Sequence, residues 1–477
     1  MTSLRPRRQI IDRTFAVVYL VYLLGTAAFN REFARLHVEL FGIPLFVGEA
    51  AIGTLLVLLL ARGWAERKVP FPTDRLTFGL AAYLIIGCTF AVFGLLHGYG
   101  LAVFRDFALV YYLVFFLFTI AAVPGLIRPA TVMDVLTTGS VVGSCVTIVS
   151  FFLAPRLVHE HAAPGYQALV AWIGAMWLAL REGSRHSRAL RALRYLGIGV
   201  NLLLIYLAAY RTMLPVMLIT LAVLAGWAIM GRPGRQRTSL ARAAAGLGLT
   251  VVAMAGVGLA LGRSVEMPET PERSDNDGAI SPSYVFDTLS ARWVRGFGAT
   301  AVAEPSLSFR ASAWRLAIER ILASPLVGIG FGPAPALHPD ENCELVSSPV
   351  SNCGNAHNTF LTLAMRMGLP VFAYFLALNG YVAMKVLKRG ARPADVPGWV
   401  PYLTAAYMSF ILFGMMSLLF ESPYLSSLFW VVLALMWLCA TGAGAQPSEQ
   451  DPLRYPGKGA NVRPAVSSLG LEGRDDG

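Results

Sequence analysis

The chain has 477 residues, of which 56% are hydrophobic and only 14% charged, against about a quarter charged in soluble domains. That composition excludes a soluble globular protein and makes membrane lipids the first expected partner. The net charge of +11 does not indicate nucleic-acid binding, because the basic residues are scattered between apolar runs and form no soluble basic face with interleaved aromatics.

In chain order, apolar runs long enough for a hydrocarbon core of about 30 Å predict twelve helices. They fall near 12–29, 40–61, 76–96, 107–123, 132–153, 166–180, 195–210, 213–230, 243–262, 364–384, 401–420 and 424–442. No small-residue cleavage site clearly follows the first, so it reads as a span and not as a cleaved signal. Residues 1–262 thus hold spans one to nine, and 263–356 form one long water-soluble insert. Residues 357–442 return to the membrane and hold the last three spans, and 443–477 are a Pro-, Gly-, Ser- and charge-rich tail expected to be disordered. The predicted class is an all-α polytopic membrane protein with about twelve spans and one large external loop containing short helices.

Lys and Arg set the orientation. They crowd the N-terminus (Arg5, Arg7, Arg8, Arg13) and the connections at Arg62–Arg75, Arg181–Arg194, Arg232–Arg242 and Lys385–Arg392. The alternate connections carry few, among them Arg31, Arg35, Arg105, Arg156 and Arg211. Positive charge marks the inner side, so both termini are expected in the cytoplasm and the insert outside.

Cys88, Cys145 and Cys439 fall within spans as small packing residues. Cys343 and Cys353 lie in the external insert, where an oxidising compartment permits a disulfide between them. Spacing alone leaves two free thiols as the alternative.

The insert opens with an acidic, Pro-rich arm (264–287), continues through a Trp293-bearing segment suited to the interface (284–297), and then reads as a helix from 308 to 323. Ser308 is the expected cap, with Trp314, Ala317, Ile318 and Ile321 as the apolar stripe. SPLVGIGFGP ends that helix, since Pro and repeated Gly cannot continue it. Arg310 shares a face with Trp314 and reads either as an anchor to lipid headgroups or as a fork for phosphate. Arg315 points about a quarter-turn away and Arg320 further still, towards solvent. Arg211, in the short connection AYRTMLP, is either a snorkelling anchor or a group turned into a cavity. His357, followed by Asn358, stands where the chain returns to the bilayer, and its ring can take a proton near neutral pH.

Other signals are weak. GIGFG from Gly328 lacks the strand before it that a nucleotide loop needs. Asp275-Asn276-Asp277 lies in the acidic arm, and His159-Glu160-His161 has no evident third ligand, so no metal is expected. Glu421, just before the last span, reads either as a structural group or as one that supports a site residue from behind.

At Arg310-x-x-x-Trp314, then SPLVGIGFG, then HNTFL from His357, the chain resembles the O-antigen ligase and polymerase superfamily of bacterial envelopes. The resemblance is closest over Phe309–Met367, and the long loop between the ninth and tenth spans resembles the ligase branch. It implies a C-type glycosyltransferase architecture and transfer of a polysaccharide from undecaprenyl diphosphate to lipid A–core at the outer face of the inner membrane, without cofactor or metal. It further implies catalytic roles for Arg211, Arg310 and His357 and substrate contacts from Arg315, Trp314 and Asn358. Tyr210, before Arg211, departs from the small polar residue of many members. A diphosphate is already a good leaving group, arginines can neutralise it, and no carboxylate pair suggests a glycosyl-enzyme, so inversion by single displacement is favoured. A polymerase would often carry a second sizeable external loop. A transporter should show mid-membrane ionisable groups, whereas Glu49, Asp134 and Arg366 are scattered near span ends.

Overall fold

The computed structural model describes residues 4–40, 43–67, 71, 74–100, 102–153, 164–180, 187–208, 212–230, 235–263, 305–332, 337, 356–390 and 399–442. Arg211, Cys343, Cys353, the acidic arm, the Trp293 segment, His159–His161 and the tail lie outside the described residues.

The elements run α1 (Leu4–Arg35), β1 (His37–Leu40), β2 (Ile43–Phe46), α2 (Val47–Glu66), α3 (Arg75–Leu96), α4 (Ala102–Tyr111), α5 (Val114–Ala122) and α6 (Pro129–Leu153). They continue through α7 (Pro164–Leu180), α8 (Arg188–Ala208), α9 (Met213–Met230), α10 (Arg235–Arg263), α11 (Pro305–Ala323), α12 (Thr359–Gly390), α13 (Val400–Gly414) and α14 (Pro423–Thr441). Among the described residues eight helical runs are long and apolar enough to cross a membrane, with α4 and α5 together making one of them. Four shorter apolar helices, Gly165–Leu180, Met213–Ile229, Thr238–Met254 and Val400–Gly414, stand where four further spans were expected.

Three local expectations need correction. The span placed at 40–61 starts only at Val47, because 37–46 pair as an antiparallel hairpin with Val38 opposite Leu45 and Glu39 opposite Pro44. Pro44 could not donate inside a helix, and the run HVEL alternates as a strand does. The span at 107–123 is two helices with a break at Tyr112 and Leu113. The return helix begins at Thr359, five residues early, and bends at Gly368, where φ is 80° and Pro370 follows.

The core is built on α14. Every residue from Tyr424 to Cys439 is buried, as befits a helix apolar all round. It packs against α1, α5, α12 and α13. Phe420, Phe429, Trp430 and Phe375 interlock there, the first two edge-to-face with ring centroids 4.9 Å apart. Elsewhere small residues bring helices close. Gly139 and Gly143, spaced as G-x-x-x-G on α6, leave room for the backbone of α1 at Leu24 and Ala28. Asn201 of α8 joins Ser144 (2.7 Å) and Ser140 (3.2 Å) of α6, so its buried amide is hydrogen-bonded.

Candidate active site

The site is assembled on two helices, α11 and α12. Pro305 opens α11, a position where its missing N–H costs nothing, so Ser308 lies inside the first turn and is not the cap. The buried stripe of α11 is Ala313, Ala317 and Ile321, at i, i+4 and i+8. Ile318, expected in that stripe, is 46% exposed. The two alanines let α11 close on α12, where Ala313, Ala317 and Ile321 share one apolar cluster with Ala356, Ala364 and Met365. Arg310 and Trp314, on the shoulder of that stripe, are half-buried, and the buried Trp314 indole nitrogen has no partner among the described residues. Arg315 is 80% exposed and pairs with Glu319 at 3.3 Å. Arg320 is exposed, as its position on the helix implied.

The Gly-rich turn after α11 lies along α12 and is held by main chain. Ile329 N donates to Met365 O (2.8 Å), Gly330 N to Arg366 O (3.0 Å) and Leu369 N to Pro325 O (2.7 Å). The bend in α12 is what makes its carbonyls available. Gly328 has φ 65°, and a Cβ there would lie 2.5 Å from Met365 O, while a Cβ on Gly368 would strike Leu326 O. Both glycines are therefore required by backbone contact as well as by the left-handed conformation.

His357 occupies the junction between the insert and α12 with φ 48°. Left-handed backbone is uncommon outside glycine and clusters at functional positions. Asn358 caps α12, its Oδ1 accepting from Phe360 N and Leu361 N at 3.1 Å each. Thr359 then ties the start of α12 to the segment before α14: its hydroxyl accepts from Leu419 N (2.7 Å) and lies 2.8 Å from Glu421 Oε2. Burial pushes the Glu421 carboxyl up from the ordinary carboxylate range, against hydrogen bonds that include Thr359 and Thr362.

Beneath the Gly-rich turn lies a pair that sequence reasoning missed. Arg366 of α12, 1% exposed, meets Asp106 of α4, 8% exposed, at 3.0 Å. Arg366 also donates to Gly330 O (3.2 Å), and Asp106 Oδ2 accepts from Gly332 N (2.8 Å). Arg366 was thus misread as one of several scattered ionisable groups. The dipeptide Arg105-Asp106 opening an apolar helix was the available signal, but its partner lies 260 positions away. The other two groups also have local roles: Glu49 accepts from Tyr111 and Tyr112, and Asp134 accepts from Trp177 Nε1 at 3.0 Å.

The fold therefore packs α11, which carries Arg310 and Trp314, on the start of α12, which follows His357 and Asn358, and turns Arg315 outward. Arg211 immediately precedes the start of α9 and lies outside the described residues. Comparison with curated proteins gave no match. Residues 197–376 match the family model described as O-antigen ligase, a stretch that contains Arg211, α11, the Gly-rich turn and His357. Over these residues the chain is similar to the O-antigen ligase family.

Proposed function

We propose that the protein is an O-antigen ligase proper, transferring a polysaccharide from undecaprenyl diphosphate to lipid A–core at the external face of the bacterial inner membrane. The observation that carries this reading is the coincidence of the family match with the packing of α11 on the start of α12: Ala313, one turn from Arg310, and Ala356, next to His357, share one cluster. Arginine chemistry and a histidine base thus belong to one structural unit.

In this mechanism Arg310 and Arg211 bind the donor diphosphate through planar guanidinium forks and neutralise charge as the glycosidic bond breaks. An acceptor hydroxyl attacks the anomeric carbon from the opposite face, its proton passes to His357, and the lipid diphosphate leaves with inversion. The left-handed backbone of His357 fixes the ring's approach to the acceptor. Asn358 supports the same corner by capping α12. Trp314, half-buried on α11, offers the glycan an apolar face. Arg315, exposed and paired with Glu319, contributes at most to the outer rim.

The test is the lipopolysaccharide gel pattern of a strain lacking the gene. Bare lipid A–core supports a ligase. Core bearing a single repeat would mean a polymerase, and an unchanged ladder would direct attention to a protein acceptor.

A further inference from the structure

Arg105 has no task in the fold that accounts for it. It sits in the first turns of α4, 39% exposed, and its only contact is a long one, Nε to Asp106 Oδ1 at 3.6 Å. The second oxygen of Asp106 is committed to Arg366 (3.0 Å) and Gly332 N (2.8 Å). Among the described residues nothing else pairs with the Arg105 guanidinium. Arg105 and Arg366 are close enough to act on each other as like charges; Asp106 pairs with both, and Glu421 also acts on Arg366. Glu421 is itself engaged with Thr359. Two guanidiniums share one carboxylate, so among the described residues the outer one is only partly neutralised.

The surroundings say what kind of anion it would meet. Phe104 (51% exposed), Leu96 (77%), Leu326 (71%) and Val327 (63%) present bare apolar side chains on the elements around this cluster. Exposed apolar surface of this kind is covered by hydrocarbon in a membrane protein. Along α12, Arg366 lies seven residues beyond Thr359, a rise of about 10 Å, so it stands about two turns further along the helix than the His357 corner. A cation there, among apolar side chains, suits a phosphate carried on a lipid.

We propose that Arg105 is a further phosphate-binding residue, taking the lipid-proximal phosphate of the polyprenyl diphosphate donor, with Asp106 and Arg366 as the pair that positions it. This rests on the ligase reading for the donor's identity, though not for the anion site itself. The prenyl chain lies along the apolar side chains, and the glycan extends up towards Arg310 and His357.

The experiment uses the full chain in phosphatidylcholine nanodiscs. Binding of undecaprenyl diphosphate, of undecaprenol and of phosphatidylglycerol is measured for wild type, Arg105→Gln and Arg105→Lys, with thermal unfolding as a folding control. Undecaprenyl diphosphate is expected to bind far better than undecaprenol, and Arg105→Gln to weaken it by about tenfold or more, since a charged hydrogen bond contributes about 1.5–3 kcal/mol. Arg105→Lys should fall between, and glycan transfer by Arg105→Gln should show a raised KM for donor with a smaller change in kcat. Donor binding within about twofold of wild type in Arg105→Gln, or a loss confined to phosphatidylglycerol, would overturn the proposal. If wild type binds the diphosphate through Arg105 but transfers no glycan, this site stands and the ligase reading falls. If Arg105→Gln is normal while His357 variants lose transfer, the reverse holds.

Discussion

Replacing Arg366 by Met should destabilise the protein severely. The substitution removes the 3.0 Å pair with Asp106 and the bond to Gly330 O, and it leaves a nearly buried carboxylate facing only Gly332 N and the distant Nε of Arg105. Breaking one side of a buried pair costs about 3–5 kcal/mol, because the surviving charge keeps its desolvation penalty. Asp106→Asn should cost less, since the amide still accepts from Gly332 N. The double variant Asp106→Asn/Arg366→Met should then be more stable than the sum of the single losses, with a coupling of about 1–3 kcal/mol for groups in direct contact. Thermal unfolding of the detergent-solubilised full chain, with size-exclusion retention as a second readout, measures all four proteins. If the single losses simply add, the two residues are not paired and the picture of a turn strapped to α4 and α12 is wrong.

Three further outcomes follow from the same geometry. Asn358→Ala removes the cap of α12 and should lower stability by about 1 kcal/mol, whereas Asn358→Ser should recover most of it; equal unfolding midpoints for all three proteins would contradict the capping role. Arg310→Lys keeps charge but loses the fork and should impair transfer substantially, while Arg315→Ala, which breaks only an exposed pair, should leave transfer near wild type and stability within about 0.5 kcal/mol; the opposite ranking in a transfer assay would exchange their assignments. Because burial raises the Glu421 carboxyl, the folded state favours its protonated form, so its contribution to stability is greatest at acid pH and declines as pH rises through the folded value. Glu421→Gln should therefore be as stable as wild type near pH 5 and equal or more stable at pH 8; a variant less stable at pH 8 alone would contradict that sign.

The membrane class was legible because it rests on sums over long runs. Helices such as α3 and α14 begin and end close to where apolar periodicity places them. What failed was local. The pairing of His37–Leu40 with Ile43–Phe46 was hidden because the apolar residues from Leu40 onward adjoin a span and extend it by hydropathy, with Pro44 and the alternation of HVEL arguing otherwise. Ile318 was read as buried because the stripe was drawn through the large residues, when the alanines at 313 and 317 are what allow α11 to approach α12. His357, Arg310 and Trp314 could be singled out as candidates because they lie within fifty residues and carry distinctive chemistry. Asp106 could not be linked to Arg366, since nothing in spacing or composition announces an ion pair made across the fold. The left-handed backbone of His357 was equally invisible, for no residue but glycine advertises it.

The central claim is that His357 takes the acceptor proton during glycan transfer from a lipid diphosphate. The most direct measurement is the pH–rate profile of the full chain in liposomes, with undecaprenyl diphosphate-linked glycan and lipid A–core, for wild type and His357→Asn. Asparagine tolerates the left-handed backbone, so this variant keeps the corner intact while removing the basic nitrogen. Neutral imidazole accepts a proton and imidazolium does not, so the wild-type rate should rise with pH as the ring loses its proton. The variant should bind donor normally, transfer about 10²–10⁴-fold more slowly, and lose that limb of the profile. Transfer by His357→Asn at the wild-type rate, with the same pH dependence, would contradict the account.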